Sequence, residues 1–470
     1  MRRPTRVSSV ALALAIAAGG ILTSVPAPAA AADTVTLRMY ATSHEVTMRA
    51  SRNGSVSLDL GAWIAAPDRA FEIHTERAGY DAPIVARQVF ADGSSRVIPR
   101  HLIHGFRGFR DFFRLQVVQG GDVVAARQVD WCPGGYELER INDDGPFDPR
   151  YPQGCYANPF TLGLVSGIDR GWAVPALRRE RLRLAPGRYR FRVTIAPAFR
   201  DLFAIAYGDA SITVYGTVKA RSSRTVPPAP APDARLAPIP TMTDPPAGSV
   251  PDLVALPAFS VGVRNGRSKD LVTFAANVWN RGPAPLVVEG FRRSGTMKMD
   301  AYQYFSVDGR FIGRAPVGGF HFDRRHGHHH WHFLQFARYR LLGADGEGVV
   351  RSHKQSFCLA PTDAIDMTVR GATWRPEEIG FTRCGDDGSI WIREVLPTGW
   401  GDTYYQGVSG QAFDISDVPN GRYYIEVRAN PTGLLYDHTA GNDVRLREIV
   451  LRGRPGHRRI VVPPWHGIRA

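Results

Sequence analysis

The stretch HFDRRHGHHHWHF, residues 321–333, holds six of the fourteen histidines of the chain. On a β-strand, successive side chains point to opposite faces. A strand through this stretch would therefore place the imidazoles of His328, His330 and His332 on one face and the apolar ring of Trp331 on the other. Three such imidazoles, about 6–7 Å apart at their origins, can converge on one ion. The spacing predicts a metal site on a strand.

Imidazole ligands suit zinc, copper, nickel and iron, and the stretch has no nearby Cys or Met to favour Cu(I). Ligand type therefore leaves zinc and copper open. The competing interpretation is a solvated histidine-rich loop, which would not require the alternation with Trp331 and Phe333. His321 and His326 could supply a fourth ligand or a hydrogen bond to a ligand, or could simply be solvated.

The N-terminus has the pattern of a secretory signal peptide. The basic segment MRRPTR is followed by the short apolar run VALALAIAAGGIL and by the small-residue segment APAAAADT. This pattern predicts a signal peptide over residues 1–32, cut near Ala30 or Ala32. The sequence has no later run of 18 apolar residues, so no transmembrane segment is expected. We expect a secreted, extracellular protein.

The formal net charge is +14, and removal of Arg2, Arg3 and Arg6 with the signal peptide would lower it to +11. A basic surface of this kind could favour an anionic extracellular or cell-wall polymer. Nucleic acid is not expected as a partner, because the sequence has no recognition motif or basic helix and its charges are scattered.

Four cysteines in an exported chain predict two disulfides. They form two local pairs in the sequence, Cys132 with Cys155 and Cys358 with Cys384. Four cysteines allow three connectivities, and pairing within each half is the simplest.

The hydrophobic pattern predicts an all-β protein. Runs that alternate or are rich in β-branched residues are bounded by Gly, Pro and Asp, as in RYRFRVTI at 188–195, SITVYGTV at 211–218, LVTFAANVW at 271–279 and VRLREIVL at 444–451. Long amphipathic helical patterns are absent, and only VPALRRERLRL at 174–184 predicts a short helix. We expect a β-sandwich-like domain in each half of the chain.

The Pro- and Ala-rich segment 221–250 reads as a semi-extended linker. It divides a β-rich accessory domain at 33–220 from a second domain at 251–453, which is followed by a basic tail at 454–470. PGRYRFRVTIAP at 186–197 parallels NGRYYIEVRANP at 420–431. This echo leaves open a duplicated sandwich or a common turn-plus-strand in two unrelated ones.

Several short motifs lie before and after the histidine strand. They are PDLV at 251–254, FAANVWNRG at 274–282, FARYRLL at 336–342, HKQSFCL at 353–359, DTY at 402–404, FDISDVPNGRYYIEVRANP at 413–431 and TAGNDV at 439–444. Together with the H-x-H-x-H strand they resemble the catalytic domain of the lysyl oxidases. The resemblance covers residues 251–450 and leaves the N-terminal half and the linker outside it.

The resemblance implies copper(II) rather than zinc on His328, His330 and His332. It also implies that Lys354 and Tyr404 become lysine tyrosylquinone, a cofactor made when copper and O₂ oxidise the tyrosine ring and the lysine amine adds to it. Lys354 must be neutral to react, which burial beside a cation would promote.

Tyr404 rather than Tyr405 is expected to form the cofactor, because Tyr404 stands third in D-T-Y and adjacent strand residues face opposite ways. The implied activity is that of a copper amine oxidase of the protein-lysine 6-oxidase type. A primary amine or a lysine-bearing protein would be converted with O₂ and water to an aldehyde, ammonia and hydrogen peroxide. Asp402 is a candidate general base, with a turn-capping role as the alternative.

This half of the chain departs from the animal pattern. It has only two cysteines, Trp400 stands near an expected cysteine, and Lys354 is farther from Tyr404 in the sequence. Two other functions therefore stay open. A copper-binding or adhesive exoprotein would keep the histidines without forming the quinone. A zinc hydrolase would use a three-histidine site with an open position, although no motif supplies its partner acid.

Overall fold

A computed structural model gives the architecture of the chain. It describes residues 37–51, 53–135, 138–142, 145–146, 148–177, 180–219, 239–266, 268–293, 296–324, 329–352, 357–376, 384–386, 389, 391–405 and 411–469. The predicted signal peptide at 1–32 and most of the predicted linker at 221–250 lie outside these ranges. No helix in the described ranges is long and apolar enough to cross a membrane.

The N-terminal half consists of short strands with one six-residue helix, α1 (Pro197–Leu202). The strands are β1 (Arg38–Ala41), β2 (Glu45–Arg49), β3 (Ser55–Ser57), β4 (Ala62–Ala66), β5 (Phe71–Glu76), β6 (Val85–Val89), β7 (Ser95–Ile98), β8 (Phe109–Gln119), β9 (Asp122–Trp131), β10 (Glu139–Arg140), β11 (Gly163–Ile168), β12 (Trp172–Pro175), β13 (Arg181–Arg183), β14 (Gly187–Ile195) and β15 (Ser211–Lys219). Single 3₁₀ turns lie at Arg100–Leu102, Gly105–Arg107 and Tyr207–Asp209.

The C-terminal half is also built of strands. They are β16 (Leu253–Ala255), β17 (Phe259–Asn265), β18 (Asp270–Asn280), β19 (Leu286–Arg292), β20 (Lys298–Val307), β21 (Arg310–Asp323), β22 (His330–Phe333), β23 (Ala337–Leu342), β24 (Gly348–Arg351), β25 (Asp363–Ala364), β26 (Trp391–Leu396), β27 (Trp400–Tyr404), β28 (Ala412–Asp414), β29 (Gly421–Ala429), β30 (Val444–Arg454) and β31 (His457–Val461). Two more 3₁₀ turns lie at Ala247–Ser249 and Ala440–Asn442.

The strands confirm the all-β prediction. The short helix predicted within residues 174–184 is wrong, because β12 reaches Pro175 and β13 covers Arg181–Arg183. In β13 only the middle residue, Leu182, is buried, and it pairs across from Val56 on β3. Pairing with β3 and the burial of alternate residues therefore decide the structure of this segment, and its helical pattern does not.

The sheets of the N-terminal half have the strand orders β1-β4-β12-β10, β11-β5-β6-β7, β13-β3 and β2-β15-β14-β8-β9. Those of the C-terminal half are β16-β18-β27-β25 with β17 and β28 also on β18, β22-β21-β20-β19-β26, and β24-β23-β29-β30-β31. Almost all pairings are antiparallel, as expected for sheets that pack on one face. The histidine strand β22 is at the edge of its sheet, and β27, which carries Tyr404, is in a second sheet.

The echo between the two halves extends to their three-dimensional contacts. Tyr189 at the start of β14 donates its hydroxyl to the carbonyl of Ala185 at 2.8 Å. Tyr423 at the start of β29 donates in the same way to Pro419, also four residues upstream and at 2.8 Å. Each hydroxyl fixes the turn that leads into its strand, so the two segments are equivalent local structures.

The hydrophobic core of the C-terminal half also takes in residues of the N-terminal half, which has a separate core as well. Buried Leu164 and Val165 on β11 pack in one cluster with C-terminal strands such as β18. Backbone hydrogen bonds cross the same boundary, since Leu162 donates to the carbonyl of Ile365 at 2.6 Å and Met367 donates to that of Gly163 at 2.9 Å. The N-terminal half therefore supports the segment that follows β25, the strand beside β27.

Candidate metal centre and buried tyrosine

The histidine strand β22 pairs with the end of β21 in an antiparallel register that sets His332 opposite His321 and His330 opposite Asp323. Trp331, between the two histidines, is fully buried in the main core. The apolar face of the strand thus anchors it, while the other face carries the imidazoles. This is the alternation expected from the sequence for residues 330–333.

The strand begins later than the sequence suggests. His329 has a φ of +46°, in the left-handed region, so it does not continue the extended strand. His326, His328 and Lys354 lie outside the described residues.

The two described ligand candidates converge. The Nε2 atoms of His330 and His332 are 2.9 Å apart, and the ring centroids are 4.7 Å apart. Two nitrogens that each lie about 2.0–2.1 Å from one ion at a right angle would be about 2.8–3.0 Å apart. The donor set and its spacing therefore fit a single divalent metal ion. His321, across from His332, has its ring 5.9 Å away and perpendicular to it.

A carboxylate that the sequence analysis missed lies behind His332. Oδ2 of Asp323 is 3.5 Å from Nδ1 of His332, the ring nitrogen that does not face His330. Both side chains are buried. A metal-binding imidazole usually donates its second N–H to such a carboxylate, which fixes the tautomer and the ring orientation. The antiparallel register of β21 and β22 was the signal that could have identified Asp323.

Two backbone segments clamp β22 from its other edge. The Trp331 N–H donates to the carbonyl of Cys384 at 3.0 Å, and its indole Nε1–H donates to the carbonyl of Asp386 at 2.7 Å. Phe333 and Phe357 exchange a pair of backbone hydrogen bonds of 2.7 and 2.9 Å. The histidine strand is therefore held by β21 on one edge and by the segments that contain Cys384 and Phe357 on the other.

A disulfide joins these two segments. Cys358, directly after Phe357, is bonded to Cys384, and Cys132 is bonded to Cys155. Both predicted disulfides are confirmed. The Cys358–Cys384 bond ties together the two clamps on the histidine strand.

Tyr404 contacts the same segment from the other side. Its hydroxyl donates to the carbonyl of Cys358 at 2.6 Å, and its ring makes an edge contact with Phe357 at 4.8 Å between centroids. Tyr404 is 8% exposed and Tyr405 51% exposed, so the two adjacent rings face opposite ways. The Phe357–Cys358 segment thus links the tyrosine to the histidine strand.

Two buried carboxyl groups lie near Tyr404. Asp402 shares a face of β27 with Tyr404, because the two are two residues apart on one strand. Burial raises the pKa of the Tyr404 hydroxyl well above its usual range, and the negative charge of Asp402 raises it further. The hydroxyl of Tyr404 is therefore neutral at physiological pH. Since Asp402 lies within a strand, the turn-capping alternative is wrong.

Glu394 is a further functional candidate that the sequence analysis missed. It is fully buried on β26, and its Oε2 accepts the backbone N–H of Leu359 at 2.8 Å. Burial raises the pKa of Glu394 well above its usual range, because it disfavours the charged carboxylate. Its only sequence signal is its place between Ile392 and Leu396 on the apolar side of a strand.

Ligand-type atoms of Glu394, Cys358 and Cys384 lie within 4.8 Å of one another. This group is a poor metal site, because both sulfurs are in a disulfide and have no thiolate to offer. The histidine pair on β22 is the better candidate.

The family model described as lysyl oxidase matches residues 309–458. The match starts within β20–β21 and so leaves out the PDLV and FAANVWNRG segments of the resemblance. It includes the histidine strand, Lys354 and β27.

Three curated proteins to which part of the chain is similar are also named as lysyl oxidase homologs. Lysyl oxidase homolog 3B of Danio rerio is 34% identical over 133 residues, which are 27% of this chain and 15% of that protein. Lysyl oxidase homolog 4 of Mus musculus is 30% identical over 138 residues, 28% of this chain and 16% of that protein. Lysyl oxidase homolog 2 of Homo sapiens is 30% identical over 118 residues, 25% of this chain and 13% of that protein. The chain thus spans about a sixth or less of the length of these relatives.

Proposed function

Since residues 309–458 place the chain in the lysyl oxidase family, we propose that it is a secreted, copper-dependent amine oxidase that uses lysine tyrosylquinone. Its substrate would be a primary amine, possibly the side chain of a peptidyl lysine. The products would be the aldehyde, ammonia and hydrogen peroxide, with O₂ and water consumed. The observation that carries the proposal is the segment Phe357–Cys358, which contacts both the histidine strand β22 and buried Tyr404.

His330 and His332 would hold the copper ion together with His328, which stands two residues before His330 in the sequence. The 2.9 Å separation of the two Nε2 atoms supports this ligand set. Bound copper would supply the oxidation of the Tyr404 ring by O₂, which lets Lys354 add and generates the carbonyl that accepts the substrate amine. The same three nitrogens are compatible with Cu(II), which prefers nitrogen ligands.

Lys354 stands three residues before Phe357. Because a fully extended chain spans at most about 3.3–3.6 Å per residue, a tether of three residues has a reach of about 11 Å. The Phe357 ring itself contacts Tyr404. Chain connectivity therefore supports a bond between Lys354 and Tyr404, in spite of their distance in the sequence.

Asp402 would act as the general base. Its carboxylate is buried on the same face of β27 as Tyr404, where it would accept the proton from the α-carbon of an amine bound at that ring. The neutral Tyr404 hydroxyl is held toward the carbonyl of Cys358, which fixes the plane of the ring. Burial of the site excludes bulk water from the reacting atoms.

Export is supported by the N-terminal pattern at residues 1–32 and by the two disulfides, which persist in oxidising compartments.

The substitution Lys354→Arg tests the proposal. It keeps the positive charge but removes the amine that would add to the ring, so amine oxidation should fall to background while copper binding stays within about twofold. Activity is measured as peroxide released from a lysine-containing peptide, and the quinone by its coloured adduct with phenylhydrazine. Lys298→Arg, on an exposed position of β20, is the matched control and should leave both signals unchanged.

Full activity in the Lys354→Arg variant would contradict the proposal. Copper-loaded wild type with neither activity nor a phenylhydrazine adduct would instead favour a copper-binding exoprotein that keeps the fold without the cofactor.

A further inference from the structure

The outer face of the sheet β2-β15-β14-β8-β9 carries a row of arginines. Strand β14 alternates so that Tyr189, Phe191 and Val193 are buried in the N-terminal core. Its outward residues are all exposed, and they are Arg188, Arg190 and Arg192. Side chains on one face of a strand are about 6–7 Å apart.

Arg114 extends this row onto the neighbouring strand. It is exposed on β8, two residues from Gln116, which pairs with Arg192. It is therefore a diagonal neighbour of Arg192, about 7–8 Å away. We call Arg114, Arg192, Arg190 and Arg188 the arginine track, which is about 20 Å long.

Three of the four charges of the track have no acidic partner among the described residues of the sheet. In the described part of the chain, Arg114, Arg190 and Arg192 make no ion pair or side-chain hydrogen bond. Their cross-strand partners are uncharged, namely Thr194, Gln128, Gln116, Thr213, Val118 and Tyr215.

The fourth arginine of the track is only weakly paired. Arg188 is 3.5 Å from Glu45, and these two side chains are 78% and 75% exposed. An exposed ion pair of this kind contributes little, so all four guanidinium groups remain available to an anion.

The track borders a concave surface rather than a flat one. A cavity of about 720 Å³ is lined by Arg190 and Arg192 together with His44, Gln116 and Thr213. A second cavity of about 220 Å³ contains Arg188 and shares Tyr215 with the first. The two cavities adjoin at Tyr215, and we call them together the groove. Hydroxyl and amide groups lie beside the guanidiniums, and Glu45 lines the second cavity as its one acidic group.

We propose that this groove binds a linear polyol-phosphate polymer through the arginine track. Guanidinium groups pair with phosphate oxygens in a bidentate fork, and a single line of them suits a chain with regularly repeated charges. Bases of a single-stranded nucleic acid would need a series of aromatic platforms. The two cavities are lined by two tyrosines, exposed Tyr215 and half-buried Tyr40, which do not make a series of platforms along the track. The occupant is therefore a polymer without bases. The accessory half would thereby hold the enzyme at an anionic extracellular matrix.

The experiment measures binding of fluorescent poly(glycerol phosphate) to the full-length protein at several salt concentrations. The double variant R190Q/R192Q removes two charges from exposed positions. Each lost phosphate contact should reduce the slope of log K against log salt by about 0.7, so the slope should fall by about 1.4. At 0.1 M salt the affinity should drop about 10–30-fold.

The matched control is R452Q/R454Q, which removes the same charge from exposed positions on β30 in another sheet. The proposal expects near wild-type affinity and slope for this control, with amine oxidation of a small amine unchanged in both double variants. Equal losses in the two variants would overturn the proposal, because binding would then follow net charge alone. Tighter binding of an equally charged single-stranded oligonucleotide would also overturn it, in favour of a nucleic-acid surface.

Discussion

His332 is buried and its two ring nitrogens face different partners. Nε2 faces His330, and Nδ1 faces the carboxylate of Asp323. This geometry fixes which nitrogen is available to a metal ion, because the carboxylate favours a proton on Nδ1. Asp323 is thus a positioning residue that acts through His332.

We predict that Asp323→Asn weakens copper binding about 10–100-fold. The amide keeps the size of the side chain but loses the charge that orients His332. The measurement is a competition titration against a chromophoric chelator, combined with the electron paramagnetic resonance spectrum of the bound copper. Asp308→Asn, in the turn between β20 and β21 where Asn also tolerates the positive φ, should bind copper like the wild type. Unchanged affinity and spectrum in Asp323→Asn would remove this role from Asp323.

Glu394 gives a prediction about pH. Its pKa is raised in the folded protein by burial, whereas in the unfolded chain it is about 4.3. The folded state therefore keeps a proton that the unfolded state loses, and this contribution to stability declines as pH rises above the unfolded pKa. Glu394→Gln has no such proton and can still accept the N–H of Leu359.

We therefore compare the free energy of unfolding of Glu394→Gln with that of the wild type. Between pH 5 and 7, the difference, variant minus wild type, should increase by up to about 1.4 kcal/mol per pH unit. Urea unfolding of both proteins at pH 5, 6 and 7 measures the difference. Parallel pH profiles would mean that Glu394 keeps an ordinary pKa in the fold.

At the scale of elements, the Cys358–Cys384 disulfide connects the histidine strand β22 to the tyrosine strand β27. Cys384 accepts a hydrogen bond from Trp331, while Cys358 accepts one from Tyr404. The disulfide therefore has a role in the site beyond its contribution to stability.

We predict that C358A/C384A loses copper affinity and quinone formation. C132A/C155A is a matched control, because the two disulfides close loops of similar length, with sequence separations of 26 and 23. Removal of either should destabilise the fold by about 3 kcal/mol. At a temperature where both variants are folded, only C358A/C384A should lower copper affinity and abolish the phenylhydrazine adduct. Equal effects of the two variants on the adduct would make the disulfide purely structural.

Strand positions could be predicted from the sequence because burial on one face of a sheet imposes a period of two. RYRFRVTI at 188–195 and VRLREIVL at 444–451 are strands for this reason. The same rule separates buried Tyr404 from exposed Tyr405. It fails at His329, where a positive φ interrupts the extended backbone. It also fails in residues 174–184, where pairing with neighbouring strands decides the structure.

The parts of the site that come from other strands could not be predicted. Asp323 meets His332 only through the register of β21 and β22, and Glu394 joins Tyr404 only through packing between sheets. Such contacts depend on which strands become neighbours, which local patterning does not specify.

At the scale of the whole molecule, each half of the chain has a core of its own, and the C-terminal core also takes in residues of the N-terminal half. Leu164 and Val165 pack with the C-terminal strands, and the Trp465 ring in the predicted basic tail lies 5.5 Å from Phe160 and 5.0 Å from Tyr80. Strand β31 of that tail also completes a C-terminal sheet. The N-terminal half therefore supports the proposed catalytic half, and its arginine track would bring that half to an anionic polymer.

The central claim is that this fold brings Lys354 and Tyr404, which are fifty residues apart in the sequence, to a copper ion and joins them. Peptide mass mapping of the purified protein, loaded with copper in air, tests it directly. We predict one cross-linked species that contains both the Lys354 and the Tyr404 peptides and is absent from Lys354→Arg. Separate, unmodified peptides in fully copper-loaded protein would contradict the claim.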